Sequence, residues 1–486
     1  MKTLWTRSSR WRTYRHAVRR SAFMNDGGRG DDDDDDDDDA MQARREFNFN
    51  SDFVVSQAEL WHFRNDWMHV RAGHVARLNH GSFGAAPGRV LSAQERIRQK
   101  WLANPDEFYF GGELVRTMRD ATIKAAEAME MHGFGSTQEM SVLQSFSARC
   151  CLVENATIAA AAVLQRWAKE SSESRSGRST RRETILTLDC AYAAVKVAIQ
   201  EYCVRATGTM DVAFAHVPFG DSENRDGDYA SWKAALMKNV HNALEEHRPR
   251  FVLLDHITSQ PAMKLPIAEM VSLCRQCPSV QEIAVDGSHA IGNLIPEEDA
   301  MTATPTRIDA DFYWTNLHKW GYTPHSACLL YAKHRLSHPI VSWDAGKDRG
   351  ILDEVWTGTR DYSSCMVVPH AVDYLITMEE KKMGAMRNRD RVWEEAEALA
   401  SAWRTPWPTQ PKETASGMVM VQLPHKYIEK CGRPGAPGGE LQNELRSKGI
   451  EVTVGNFHNH VGYLRLSHAV YNSYSDYERL RDALKP

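Results

Sequence analysis

Residues 283–292 read IAVDGSHAIG and residues 309–320 read DADFYWTNLHKW. Each is a short apolar run that ends abruptly in polar residues. Ile283–Val285 gives way to Asp286 and His289, and Phe312–Trp314 to Thr315, Asn316, His318 and Lys319, just as Phe251–Leu254 gives way to Asp255, His256, Thr258 and Ser259. Unbroken apolar runs of this length suit strands buried on both faces, as in a parallel sheet covered by helices. In such sheets ligands bind beyond the carboxyl ends of the strands, so the residues that follow these runs are the first place to look for chemistry.

Working outward, the runs Thr184–Leu188, Val212–Val217, Phe251–Leu254 and Cys328–Tyr331 predict further strands. Between them, Tyr192–Val204, Tyr229–Glu246 and Ile267–Arg275 carry apolar residues at three- and four-residue spacing and predict helices. Ala168–Arg182, rich in Ser, Arg and Glu, reads as an exposed loop. After Asp344 the pattern changes to a helical region (Val367–Trp403), short strands (Met418–Leu423, Val452–Val454, Tyr463–Leu466) and a closing helix (Asp476–Leu484). The expectation is an α/β chain: a large domain over residues 111–345 built on a mostly parallel sheet, and a smaller C-terminal α+β domain over 346–486.

Composition removes several classes of function. With 59 Lys and Arg against 64 Asp and Glu, a net charge of −5, the chain offers no basic face for nucleic acid. Its longest aliphatic stretch, residues 156–164, is too short to span a bilayer, which takes about 18–20 apolar residues. Nine cysteines without regular spacing read as reduced thiols rather than a secreted disulfide framework. Residues 1–50 are a leader of different material. No acidic residue precedes Asp26, while Lys2, Arg7, Arg10, Arg12, Arg15, Arg19 and Arg20 recur. That is the composition of a mitochondrial transit peptide, and equally of a disordered basic tail, so mitochondrial and cytoplasmic locations both stand. Asp31–Asp39 repels itself and reads as a solvated spacer.

The strand ends supply what pyridoxal 5′-phosphate (PLP) requires. An amine must take its aldehyde and a carboxylate must keep its pyridine nitrogen protonated. Backbone N–H groups at a helix start, with hydroxyl, amide or imidazole donors, must hold its phosphate. Lys319 and Asp286 provide the first two, and Asn155-Ala-Thr157, ahead of a small-residue helix, provides a phosphate seat. Singly these residues have plainer readings: a turn or cap aspartate, a solvated lysine, a histidine bonded to backbone. Their order and spacing set them apart.

Asp-x-x-His followed about thirty residues later by Asn-x-His-Lys resembles the class V aminotransferase group of PLP enzymes, fold type I. The resemblance is nearest to the isopenicillin N epimerase-like branch and, within it, to the plant-type L-cysteine desulfhydrases. It is carried by LNHGSFGAAPGRVLSAQ (78–94), NPDEFYF (104–110), NAT (155–157), DHITSQPAMKLPI (255–267), VDGSHAIG (285–292), DADFYWTNLHKW (309–320), WTGTRDYSS (356–364) and YLRLSHAVYN (463–472). These segments leave only the leader uncovered.

The resemblance implies a sheet of the seven-stranded type and a segment, residues 51–110, that contributes to the active-site entrance. It implies that Lys319 forms the Schiff base, that Asp286 partners the pyridine nitrogen and that His289 sits near the phenolic oxygen. Ala156, Thr157, Asn316 and His318 would hold the phosphate, with Thr359 reaching it from the second subunit of a homodimer. Arg465 would grip the carboxylate of a small amino-acid substrate, with Arg360 the alternative, and Asn79, His80 and Ser82 would line the entrance. Many relatives carry His where this chain has Cys190, which leaves the ring-stacking residue open between Cys190 and Tyr192, with Tyr192 the candidate.

Three other features read plainly. Cys274-x-x-Cys277 lacks a second pair, so no metal site is expected. Cys431, in a Gly/Pro-rich loop, reads as an ordinary exposed thiol rather than a persulfide carrier. Phe108, Tyr109 and Phe110 read as packing. The activity implied by the resemblance is carbon–sulfur lysis of L-cysteine to pyruvate, ammonia and sulfide. A hercynylcysteine sulfoxide lyase, an amino-acid epimerase and a cysteine desulfurase are alternatives on the same scaffold. A non-catalytic binding protein would need neither Lys319 nor Asp286.

Overall fold

Seven strands make the central sheet of the computed structural model: β1 (Cys150–Val153), β2 (Glu183–Leu188), β3 (Met210–Ala215), β4 (Phe251–Asp255), β5 (Glu282–Asp286), β6 (Phe312–Asn316) and β7 (Cys328–Ala332). They lie in the order β1-β7-β6-β5-β4-β2-β3. All neighbours are parallel except at β7, which runs antiparallel to β6 and β1. The structure describes residues 57–131, 145–174, 182–220, 228–299, 304–334, 336, 357–432, 439–457 and 461–485. The leader, with both readings of its basic stretch and the Asp31–Asp39 spacer, lies outside them.

Burial explains why these strands lack alternation in sequence. Val252, Leu254, Ile283 and Val285 point into one core layer, while Phe251, Leu253 and Ala284 point into the other. Each face needs apolar side chains, so the period of two still operates but both phases are hydrophobic. The mostly parallel α/β sheet expected from sequence is present, with two local differences. β1 was not anticipated, because CCLV is only four residues long and has few β-branched side chains. The helix Ala156–Ser174 runs through the first part of the expected loop at 168–182. Lys169, Glu170 and Glu173 are polar but good helix formers, and they occupy a solvent-facing side.

A second sheet contains β8 (Met418–Gln422), β9 (Thr453–Phe457) and β10 (Val461–Ser467) in the antiparallel order β9-β10-β8. Its own core includes Val392, Leu399, Trp403, Val421, Leu464 and Leu480 from the helices Ala385–Trp403 and Tyr474–Ala483 and from the strands. The N-terminal segment is stitched to this lobe where Ala76–Arg77 pairs in parallel with Ile450–Glu451. It then turns through the short helix His80–Phe83 to Gly84, whose φ is 66°. A Cβ there would stand 1.9 Å from the carbonyl oxygen of His318, so only glycine lets this turn pass so close to the Lys319 turn. The close approach brings Asn79 and Ser82 to the carboxyl end of the central sheet.

Candidate active site

Lys319 follows β6 on the short helix Leu317–Trp320, and its Nζ lies 3.1 Å from Nε2 of His289, which follows β5. Burial pushes the Lys319 amine down to about 8, opposed by the attraction of Asp286 and aided by repulsion from Arg465. Burial also holds the His289 imidazole well below its ordinary range, with Lys319 and Arg465 adding to the effect. Trp320 Nε1 approaches His289 Nδ1 at 3.5 Å.

Asp286 ends β5, 4% exposed. Its Oδ1 accepts from the Ser288 N–H at 2.9 Å and from the Ser288 hydroxyl. Burial pushes this carboxyl upward, against those hydrogen bonds and the charge of Lys319. The amine and the carboxylate therefore stand at adjacent strand ends within one electrostatic neighbourhood.

The phosphate-seat residues converge as well. Asn155 Oδ1 caps the helix Ala156–Ser174 by accepting from the Ile158 N–H at 3.1 Å, and Asn316 Oδ1 accepts from the Ala156 N–H at 3.0 Å. Asn316 thus engages Ala156 directly, and Thr157 is exposed beside it in the first turn of the helix. His318 Nδ1 is 3.0 Å from the Ala327 carbonyl, which fixes the N–H on Nδ1. Burial lowers this imidazole to about 4. Its Nε2 can donate to a phosphate only as the imidazolium, the form a dianion at the helix start would itself favour.

Arg465, on β10, is 2% exposed. Its Nη1 donates to the Ser259 hydroxyl and carbonyl at 2.9 and 3.1 Å. Its Nη2 donates to Asn79 Oδ1 at 2.9 Å, Ser82 Oγ at 2.6 Å and Thr453 Oγ1 at 3.3 Å. Every acceptor is neutral, and Nε is buried without a partner among the described residues. Burial lowers the guanidinium to about 10, with Tyr192 opposing. Arg360 differs: its Nη2 is 3.2 Å from Glu154 Oε1, its Nε donates to Thr357, and it lies 4.0 Å over the Tyr362 ring. A carboxylate already claims it.

Two of the other residues read from sequence, His80 and Cys431, stand elsewhere than expected. His80 lines no entrance. It is fully buried, its Nδ1 bonded to the Tyr471 hydroxyl at 3.0 Å and its ring 4.7 Å from that of Trp320, and burial with repulsion from Arg77 pushes it down to about 3. Asn79 and Ser82 hold Arg465, with Ser82 donating to Asn79 Oδ1 at 2.7 Å. Tyr192 is 52% exposed at the start of the helix Ala193–Ala198, whereas Cys190 is partly buried with its thiol pushed well up by burial and by the neighbouring Asp255. Thr359 is exposed. Cys431, expected to be exposed, is fully buried: the chain forms a 3₁₀ helix over His425–Cys431 and its Sγ donates to the Tyr427 carbonyl at 3.2 Å. Cys274 and Cys277 are buried, and no group of three or more metal-ligating side chains occurs among the described residues.

Sequence reasoning gives no role to Ser259 or Asp255, both at the end of the Phe251–Leu254 run, and offers no sign of Thr453. Thr453 meets Arg465 only because β9 and β10 pair in that register, which no spacing in the chain reveals. Ser259 and Asp255 follow or close β4, where the strand-end rule places them, but their work depends on contacts that the rule does not show.

The donor set fits PLP: a buried amine eased toward its neutral form, a buried carboxylate held by two donors, and a capped helix start with hydroxyl and imidazole beside it. The fold agrees. The cysteine desulfurase of Thermococcus onnurineus NA1 matches with a TM-score of 0.58 over 84% of this chain and 94% of that one, at 13% identity. The architecture is that of the PLP-dependent enzymes of fold type I. No family model matches the chain. The L-cysteine desulfhydrase of Arabidopsis thaliana is 34% identical over 86% of this chain and 89% of its own length. The probable chloroplastic L-cysteine desulfhydrase of the same plant is 32% identical over 84% and 82%. The chain belongs to the L-cysteine desulfhydrase family.

Proposed function

We propose that this protein is a PLP-dependent carbon–sulfur lyase that cleaves L-cysteine or a close derivative to sulfide, pyruvate and ammonia. The observation that carries the reading is Arg465, a buried guanidinium surrounded only by neutral acceptors and within electrostatic reach of Lys319. A buried cation without an anion is costly, and a planar fork pairs with a substrate carboxylate at two points. Relatives named L-cysteine desulfhydrase supply the substrate class.

Lys319 would hold the cofactor and, once released by the incoming amine, take the Cα proton. Asp286 would keep the pyridine nitrogen protonated, and Thr157, Asn316 and His318 would hold the phosphate. When bound, PLP supplies the electron sink that makes the Cα proton removable. Arg465, steadied by Ser259, Asn79, Ser82 and Thr453, would fix the substrate so that its Cα–H faces Lys319. His289, neutral and 3.1 Å from Nζ, would keep the amine oriented. Cysteine's thiolate needs no protein nucleophile in order to leave Cβ.

The exposed Thr359 segment would complete the site of a second subunit, making the working form a homodimer. The leader would direct the chain to a mitochondrion or leave it in the cytoplasm. No helix among the described residues is long and apolar enough to cross a membrane. Product analysis with a panel of amino acids, measuring sulfide, pyruvate and alanine separately, tests the reading: sulfide and pyruvate in equal amounts from L-cysteine support it, and alanine in place of pyruvate overturns it. A fully active monomer in sizing experiments would remove the shared-site element.

A further inference from the structure

Asp255 closes β4 as the register partner of Asp286 on β5. Side chains alternate along a strand, and Leu253 and Ala284, two residues earlier on each, feed the same core layer. Asp255 and Asp286 therefore project from one face, on strands about 4.8 Å apart. Both are nearly inaccessible, at 3% and 4% exposure.

Their surroundings are unequal. Asp286 accepts from the N–H and hydroxyl of Ser288. Asp255 receives nothing comparable: its Oδ2 is buried with no hydrogen-bond partner among the described residues. Trp314, the register partner of Asp286 on β6, acts through its indole on Asp286 and not on Asp255, and Thr187 Oγ1 on β2 is buried without a partner among the described residues. The groups that reach Asp255 electrostatically are Asp286 from β5, Lys319 beyond β6, and Lys196 and Cys190 beyond β2. Lys196 Nζ is committed to the Asp189 carbonyl at 2.9 Å, and His256, the residue after Asp255, to the Tyr313 hydroxyl at 2.9 Å.

We propose that Asp255 and Asp286 together carry a single negative charge, with Asp255 keeping its proton so that the charge stays on Asp286, the acid placed for the cofactor's ring nitrogen. Two buried carboxyls one strand apart cannot both ionise without strong repulsion, and the anion settles where donors exist. Asp255 is then a positioning residue: it fixes which acid is charged without touching substrate. Burial and repulsion from Asp286 push its carboxyl well above the usual range, in keeping with the geometry. The proposal rests on the reading of Asp286 as the cofactor's partner, but the charge state of Asp255 can be read independently of that reading.

The test uses the full-length chain, with and without added PLP. Infrared difference spectra should contain the carbonyl stretch of a protonated carboxylic acid at pH 7, lost in Asp255→Asn. In Asp286→Asn, where the repelling charge is gone, that band should titrate away at lower pH by about 1 unit or more. Thermal melts add a sign. A carboxyl whose folded-state pKa is raised lowers stability progressively as pH rises above its unfolded value of about 4, so the melting temperature of Asp255→Asn should gain on that of wild type as pH rises from there. A band indifferent to Asp255→Asn, a midpoint unmoved in Asp286→Asn, or a melting difference that does not rise with pH overturns the proposal. Failure of the PLP reading would show separately, as a spectrum of wild type with added cofactor that is only the sum of protein and free PLP.

Discussion

Nζ of Lys319 and Nε2 of His289 stand 3.1 Å apart, from residues thirty positions distant that the parallel pairing of β5 and β6 makes neighbours. A hydrogen bond between two nitrogens needs one proton between them and one lone pair. With the imidazole held neutral and its Nδ1 accepting from Trp320 Nε1, the proton lies on Nε2 and the Lys319 amine, lowered to about 8, supplies the lone pair in its neutral form.

An amine attacks an aldehyde only in its neutral form, so cofactor uptake reports the Lys319 titration. With the amine at about 8, the uptake rate should climb roughly tenfold from pH 7 to pH 9 and level off, whereas an ordinary lysine would keep climbing about tenfold per unit through that range. Stopped-flow absorbance on protein stripped of cofactor measures this. Lys319→Ala should show neither the absorbance of a lysine-linked cofactor nor turnover, and activity at the wild-type level would end the assignment.

Asp286→Asn should still take up PLP, because the phosphate seat and Lys319 are unchanged, yet remove the Cα proton more slowly by on the order of 100-fold. Exchange of the Cα hydrogen of L-cysteine in heavy water isolates that step. An unaltered exchange rate would take Asp286 out of the mechanism.

Much of this arrangement is legible in the sequence because strand ends and spacing are local properties. IAVDGSH and FYWTNLHK announce both the buried strands and the residues they deliver, and the observed β5 and β6 extend those runs by only one or two residues. What the sequence conceals depends on register and three-dimensional burial. Arg465 is held by Thr453 across an antiparallel pair and by Asn79 and Ser82 from some 380 residues away. His80 looks like an entrance residue in its motif, but the turn at Gly84 folds it beneath Trp320 and Tyr471. Cys431 sits among glycines and prolines that suggest exposure, yet its side chain points inward against Gly462.

Arg465→Lys should raise KM for L-cysteine by about tenfold or more, since a lysine cannot reproduce the fork and losing a charge-assisted hydrogen bond costs about 1.5–3 kcal/mol. The effect should fall mainly on KM, because the carboxylate is gripped in ground state and transition state alike. Steady-state kinetics with L-cysteine decide it. If they were unaffected, the carboxylate site would have to move to Arg360, whose guanidinium Glu154 already engages.

The thiols separate the lyase from the desulfurase. A desulfurase requires a cysteine thiolate to attack the substrate sulfur, which demands both access and a lowered thiol pKa. Cys431 and Cys365 are fully buried, and burial pushes their thiols up to about 11 and about 12. Each Sγ is also committed to a backbone carbonyl, of Tyr427 and Ser326 respectively. Neither can serve as a nucleophile without local unfolding, while β-elimination needs only the lysine base and the electron sink. Cys431→Ser and Cys365→Ser should therefore keep releasing sulfide and pyruvate from L-cysteine at rates within about twofold of wild type, any loss coming from a polar hydroxyl placed in a thiol's site. Loss of sulfur release in either folded variant, with alanine as the wild-type product, would give the reaction to the desulfurase reading instead.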